Sequence, residues 1–126
     1  MPQSHVAIVD DDASLRRALT RLLHSAGLQV AAFASAEEFL ASGGSSAPAC
    51  LILDIHLTGM SGLELLTRLR AAGDDLPVLL ITAHDDQQNR TLAAQLRCRA
   101  YLRKPLDPSK LLKEVLRALD LEEPAS

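Results

Sequence analysis

The chain has 126 residues, enough for one domain that buries roughly two thirds of its unfolded surface without disulfide staples. A formal net charge of −3 argues against unaided binding of nucleic acid, which needs clustered Lys and Arg against the phosphates. No apolar run approaches the roughly 18 to 20 residues of a membrane span. The core must be aliphatic, since the aromatics are only Phe33, Phe39 and Tyr101. Cys50 and Cys98 lie in or beside apolar segments without paired spacing, so buried, reduced thiols in a cytoplasmic protein are expected.

Val6 to Val9 form a short buried-strand run that stops at Asp10-Asp11-Asp12. Leu15, Leu19, Leu22, Leu23 and Ala26 then recur at helical spacing until Gly27. Val30 to Phe33 predict a second strand, Ser35 to Glu38 have the Ser-x-x-Glu form of a capping box, and residues 43–48 read as a surface loop. Leu51 to Leu53 predict the third strand, which stops at Asp54. Ser61 to Glu64 form a second capping box, opening a helix with Leu65, Leu66 and Leu69 that Gly73 ends. Pro77 precedes a fourth strand, Val78 to Ile81, which ends at Thr82. The stretch from Asp86 to Leu96 offers few apolar positions beyond Leu92, Ala93 and Leu96, which predicts a lightly anchored helix. Ala100 to Leu102 run as a fifth strand into Lys104-Pro105. Asp107-Pro108 is an N-cap followed by Pro at the first helical position, and Leu111, Leu112, Val115, Leu116 and Leu119 mark the inward stripe of the last helix. Residues 121–126 read as a tail or the start of a linker after a core at 5–120.

Five strands alternating with five helices predict an α/β fold, a parallel sheet covered on both faces with right-handed crossovers. Asp10, Asp11, Asp54, Thr82 and Lys104 would then gather at one sheet edge, because each stands at a strand end. Three carboxylates there repel, at about 4 kcal/mol per pair at ~4 Å and an effective dielectric near 20. Oxygen-only ligands that leave room for water and phosphate oxygens suit Mg²⁺. Lys104 adds a fixed positive charge, Thr82 a hydroxyl, and Ala83 no bulk to obstruct a ligand at its backbone N–H. Together these groups can cradle a transferring phosphoryl group, with Asp54 as nucleophile because it stands alone at the centre.

Val9-Asp10-Asp11 with Leu15-Arg16, Asp54 with Gly59-Met-Ser-Gly62, Thr82-Ala83, and Tyr101-Leu-Arg-Lys104-Pro105 resemble the receiver domain of bacterial two-component response regulators. The resemblance implies a flavodoxin-like, doubly wound five-stranded sheet of order 2-1-3-4-5. It implies that Asp54 accepts a phosphoryl group from a sensor histidine kinase. Mg²⁺ would be bound by Asp11, Asp54 and the His56 backbone carbonyl, with Asp10 acting through water. Lys104 would pair with the phosphoryl oxygens, Thr82 would swing toward them, and Tyr101 would turn inward behind it. The readout face would be the fourth helix, fifth strand and fifth helix, a surface that could also join two copies on phosphorylation. Kinase pairing would lie on the first helix around Arg16, Arg17 and Leu23. The stretch from Phe33 to Leu40 further resembles receivers joined to helix-turn-helix output domains, which implies transcriptional control through a domain outside these residues. A stand-alone receiver that relays phosphate or acts by protein contact is the alternative.

Plainer roles are expected elsewhere. Asp12 reads as a helix N-terminus, and His56 and His84 as loop residues at the mouth of the site rather than metal ligands. Thr58 stands where the family often has Pro. Arg97-Cys98 replaces a usual Gly-Ala after the fourth helix, which removes the residue best suited to a left-handed cap. A haloacid-dehalogenase-like phosphatase would need a second Asp where this chain has His56, so the expectation is a signalling module rather than an enzyme.

Overall fold

The computed structural model describes residues 5–42 and 47–120. The predicted tail, and residues 43–46 of the predicted loop, lie outside the described residues. Five strands alternate with five helices: β1 His5–Val9, α1 Ala13–Ser25, β2 Gln29–Phe33, α2 Ala36–Ala41, β3 Cys50–Asp54, α3 Gly62–Ala71, β4 Val78–Thr82, α4 Gln87–Gln95, β5 Ala100–Arg103 and α5 Pro108–Ala118. All four strand pairings are parallel and the order is β2-β1-β3-β4-β5, as expected.

Successive strand residues point to opposite faces, and the core divides accordingly. Ala7, Val9, Leu51, Leu53, Val78 and Leu80 meet Leu63, Leu65 and Leu66 of α3 and Ala93 of α4 on one face. Val6, Ile8, Ile52, Leu79 and Ile81 meet Leu19 and Leu23 of α1 and Leu111 and Val115 of α5 on the other. β3 and β4 are buried throughout, which explains why they read as unbroken aliphatic runs. Cys50 is buried and free, whereas Cys98 is only half-buried.

The predicted helix starts are present: Asp12, Ser35, Ser61, Asp86 and Asp107 each accept hydrogen bonds from N–H groups of the first turn. The Ser61–Glu64 box is reciprocal. In the Ser35 box the return arm lands one residue upstream, where Glu38 Oε1 accepts from the Ala34 N–H at 3.2 Å. Three apolar assignments need correction. Ala26 is exposed, because it is the C-cap of α1 rather than part of its stripe. Leu92 is 37% exposed, so Ala93 is the fully buried anchor of α4. Leu116 is half-buried and lies outside the α5 core cluster.

Arg97 resolves the question raised by its replacing glycine. It adopts φ 58°, the left-handed conformation, at the position after the α4 C-cap. Its N–H bonds to Ala94 O at 3.0 Å and that of Cys98 to Ala93 O at 3.2 Å, the two bonds of a Schellman motif. Arg70 supports this turn from α3. Its guanidinium donates to Leu96 O at 2.8 Å and Arg97 O at 3.1 Å, and to Asp74 O and Leu76 O in the loop before β4.

Candidate functional site

β1 and β3 are neighbours whose following helices lie on opposite faces, so the crevice at their carboxyl ends is the switch point of the sheet. Asp10 follows β1 there and is fully buried. Its backbone N–H bonds to Phe33 O at 3.1 Å, and its Oδ1 accepts from the Asp12 N–H at 2.8 Å. Asp11 is exposed at the rim, and Asp12 caps α1 as expected. Asp54 ends β3 with 3% exposure, and its Oδ1 accepts from the His56 N–H at 3.1 Å. One oxygen each of Asp10, Asp11 and Asp54 lies within 4.8 Å of the others.

Lys104, half-buried beyond β5, points Nζ between two of them, 3.1 Å from Asp10 Oδ2 and 3.2 Å from Asp54 Oδ2. A bond from its N–H to Thr82 O, 2.8 Å, ties the end of β5 to that of β4. Burial works to lower the Lys104 pKa, but the close contact and charge of Asp10, followed by those of Asp54, outweigh it and raise the value. Asp10 is itself raised, first by burial and then by the Asp54 charge, against the lowering effects of the Asp12 N–H and Lys104. The ammonium is therefore held protonated, and the fully buried Asp10 carboxyl is harder to ionise than an ordinary aspartate.

Thr82 is buried at the end of β4. Its hydroxyl donates to His84 O at 2.8 Å and accepts from the His84 N–H at 3.0 Å. Ala83 is exposed beside it. Tyr101, paired in register with Leu80, lies against the core with its hydroxyl buried. His56 and His84 meet edge to face at the mouth, 5.6 Å between ring centroids.

The strand ends thus bring together Asp10, Asp11, Asp54 and Lys104, with Thr82 ending the adjoining strand and Ala83 just beyond it. Sequence reasoning placed Leu23 among the surface residues that would select a kinase; it is fully buried and serves the core alone. Arg16 has a structural task in addition, since its Nη1 donates to Asp10 O at 2.7 Å. Glu37 was missed. From α2 it accepts the Met60 N–H at 2.8 Å, a bond across 23 residues that holds the loop after β3 and lowers the Glu37 pKa. Gly62 has a harder constraint, because a Cβ there would collide with the Asp54 carbonyl oxygen.

Residues 6–116 match the family model described as response regulator receiver domain. The chain belongs to this family. It is 39% identical over 115 residues to nodulation protein W of Bradyrhizobium diazoefficiens, which covers 91% of this chain and 51% of that protein. It is 37% identical to the transcriptional regulatory protein FixJ of Azorhizobium caulinodans, over 94% of this chain and 57% of FixJ. The chain therefore spans a little over half the length of these curated relatives. Among solved structures, the response regulator StyR superposes with a TM-score of 0.87 at 38% identity, covering 95% of this chain and 61% of StyR. Receiver domains are signalling modules that bind Mg²⁺ at an acidic pocket and whose usual partner is a histidine kinase. Among the described residues no helix is long and apolar enough to cross a membrane.

The donor set suits such a cation. Three carboxylates face one ammonium, and Asp10 Oδ2, fully buried, has no aligned hydrogen bond, only the ionic contact with Lys104. Hard oxygen ligands with residual negative charge fit Mg²⁺.

Proposed function

We propose that residues 1–126 act as one receiver module that accepts a phosphoryl group on Asp54 from the phosphohistidine of a sensor kinase. The supporting observation is the setting of Asp54: a nearly buried carboxylate at the switch point, 3.2 Å from a fixed ammonium and beside two further carboxylates. Asp54 Oδ attacks phosphorus, the bond from phosphorus to the donor nitrogen breaks, and Lys104 stabilises charge on the phosphoryl oxygens. Asp11, Asp54 and the His56 carbonyl would hold Mg²⁺, with Asp10 acting through water; the cation supplies charge neutralisation to the same oxygens. Ala83 offers its backbone N–H to the phosphoryl group.

The new group adds about −1.5 to −2 charges and strong acceptors, which compete with the His84 backbone for the Thr82 hydroxyl. Thr82 and Tyr101 form the switch, and the surface of α4, β5 and α5 carries the readout as a population shift. The transcriptional relatives support an output through a DNA-binding domain in the whole protein, reached in the cytoplasm, with pairing of two copies through the α4–β5 surface. Incubation with acetyl phosphate and Mg²⁺ is expected to add one phosphoryl group by intact mass, lost in Asp54→Asn. A wild-type chain that gains no mass under saturating donor overturns the reading.

A further inference from the structure

Asp85 belongs to no part of the phosphoryl chemistry, yet it is unusually enclosed. It lies three residues beyond Thr82 in the loop between β4 and α4, and its side chain is only 15% exposed. Arg90, in the first turns of α4, brings Nε to 2.8 Å from Oδ1, and Arg103, at the end of β5, brings Nε to 3.7 Å from Oδ2. The buried hydroxyl of Tyr101 interacts with the same carboxylate. Three segments therefore converge on one side chain: its own loop, α4 through Arg90, and β5 through Tyr101 and Arg103.

The two arginines are largely exposed, at 52% and 73%, and ion pairs of this kind hold weakly. Leaving the enclosed carboxylate and the buried hydroxyl unpaired would by contrast be costly. Such a contact is inexpensive to rearrange and unfavourable to leave half made, which suits an element with two arrangements. Its link to Thr82 is direct. The Thr82 hydroxyl grips both backbone groups of His84, the residue before Asp85. Withdrawing that hydroxyl frees the loop at the point where Asp85 is attached.

We infer that Asp85 is a positioning residue that holds Tyr101 and the start of α4 to the β4–α4 loop, passing a change at the Thr82 hydroxyl to both. This rests on the phosphoacceptor reading above. It adds the path by which the switch reaches α4 in this chain.

Tyr101 is the chain's single tyrosine and there is no tryptophan, so phenolate absorbance and intrinsic emission report this site alone. Burial raises the Tyr101 pKa, and the charges of Asp85 and then Asp86 raise it further, against Arg90. The experiment titrates Tyr101 in the full chain, and records its emission with Mg²⁺ before and after acetyl phosphate, with intact mass measured in parallel. Asp85→Asn keeps the shape and removes the charge. Arg103→Gln weakens the contact from an exposed position. Asp86→Asn makes the same charge change at the helix cap.

In Asp85→Asn the phenol is expected to titrate closer to an ordinary tyrosine, with a larger shift than Asp86→Asn gives. Its emission response to phosphorylation is lost while the mass gain persists, and Arg103→Gln reduces that response. An Asp85→Asn chain that keeps the wild-type emission response, or titrates no differently from Asp86→Asn, overturns the inference; if it does not fold, an undiminished response in Arg103→Gln does so. A wild-type chain that gains no phosphoryl group overturns the proposed function instead, and the titration still decides whether Asp85 holds Tyr101.

Discussion

β3 and β4 are both fully buried strands ending in a polar residue of the site, but the loops that leave them are held in opposite ways. After Asp54, the Gly62 N–H bonds back to Ile55 O at 2.9 Å, Glu37 holds Met60, a reciprocal capping box starts α3, and four residues of that helix are buried. After Thr82, the loop is held by one hydroxyl, the Asp86 cap and the Asp85 ion pairs, and α4 buries only Ala93. Acceptance of a group requires a carboxylate whose surroundings do not yield. Reporting it requires a neighbour whose surroundings do, and few buried contacts make a helix inexpensive to move.

The largest test of this contrast removes the rigidity of the first loop. Gly62→Ala puts a Cβ against the Asp54 carbonyl, where backbone must shift, and is expected to cost about 3 kcal/mol in urea unfolding. A loss below ~1 kcal/mol would show that the loop yields after all. Next, Arg70→Ala strips donors from four carbonyls and is expected to cost about 2 kcal/mol. Thiol labelling localises the damage. Burial pushes the Cys50 thiol up to about 12, so it stays silent in the native state, whereas Cys98, just past α4, should label faster in the variant. Equal labelling of wild type and variant would count against Arg70 as the support of that end.

Arg97→Gly acts in the other direction. It removes the strain of a left-handed arginine and is expected to stabilise by about 1 kcal/mol, since the exposed pair with Asp75 contributes little. An unchanged or lower midpoint would show that this pair matters. The smallest effect is in pH. Burial raises Asp10, so the folded state takes up that proton at higher pH than the unfolded chain. Stability from this group is therefore lost as pH rises from the ordinary aspartate range through the raised value, and is flat above it. Asp10→Asn, which still accepts from the Asp12 N–H, should flatten that slope and raise the neutral-pH midpoint; a slope identical to wild type contradicts the account.

What could be read from the chain was whatever short-range pattern determines. Strand ends marked Asp10, Asp54, Thr82 and Lys104 because a parallel sheet delivers every carboxyl end to one edge. Caps at Asp12, Ser61 and Asp107 were readable because their bonds close within three residues. Residues whose role depends on a distant partner were not. Glu37 carries no local sign that it will hold Met60, and nothing near Asp85 announces Arg103. Helical spacing marks both Leu22 and Leu23 as inward, and only packing against the sheet decides that Leu23 alone is fully buried. Arg97 departs from local preference, and the Schellman bonds together with Arg70 explain why the turn forms without glycine.

Arg70 supports the carboxyl end of α4, and its amino end hangs from a loop fastened by the Thr82 hydroxyl and the Asp85 ion pairs. Nine residues at ~1.5 Å each make a rod of roughly 13 Å pinned at one end. A tilt of about 10° about the pin carries the free end roughly 2 Å and leaves the pinned turn almost still. If Thr82 switches as proposed, α4 would act as a lever with its fulcrum at Leu96 and Arg97, and the displacement a partner surface meets would grow toward Gln87.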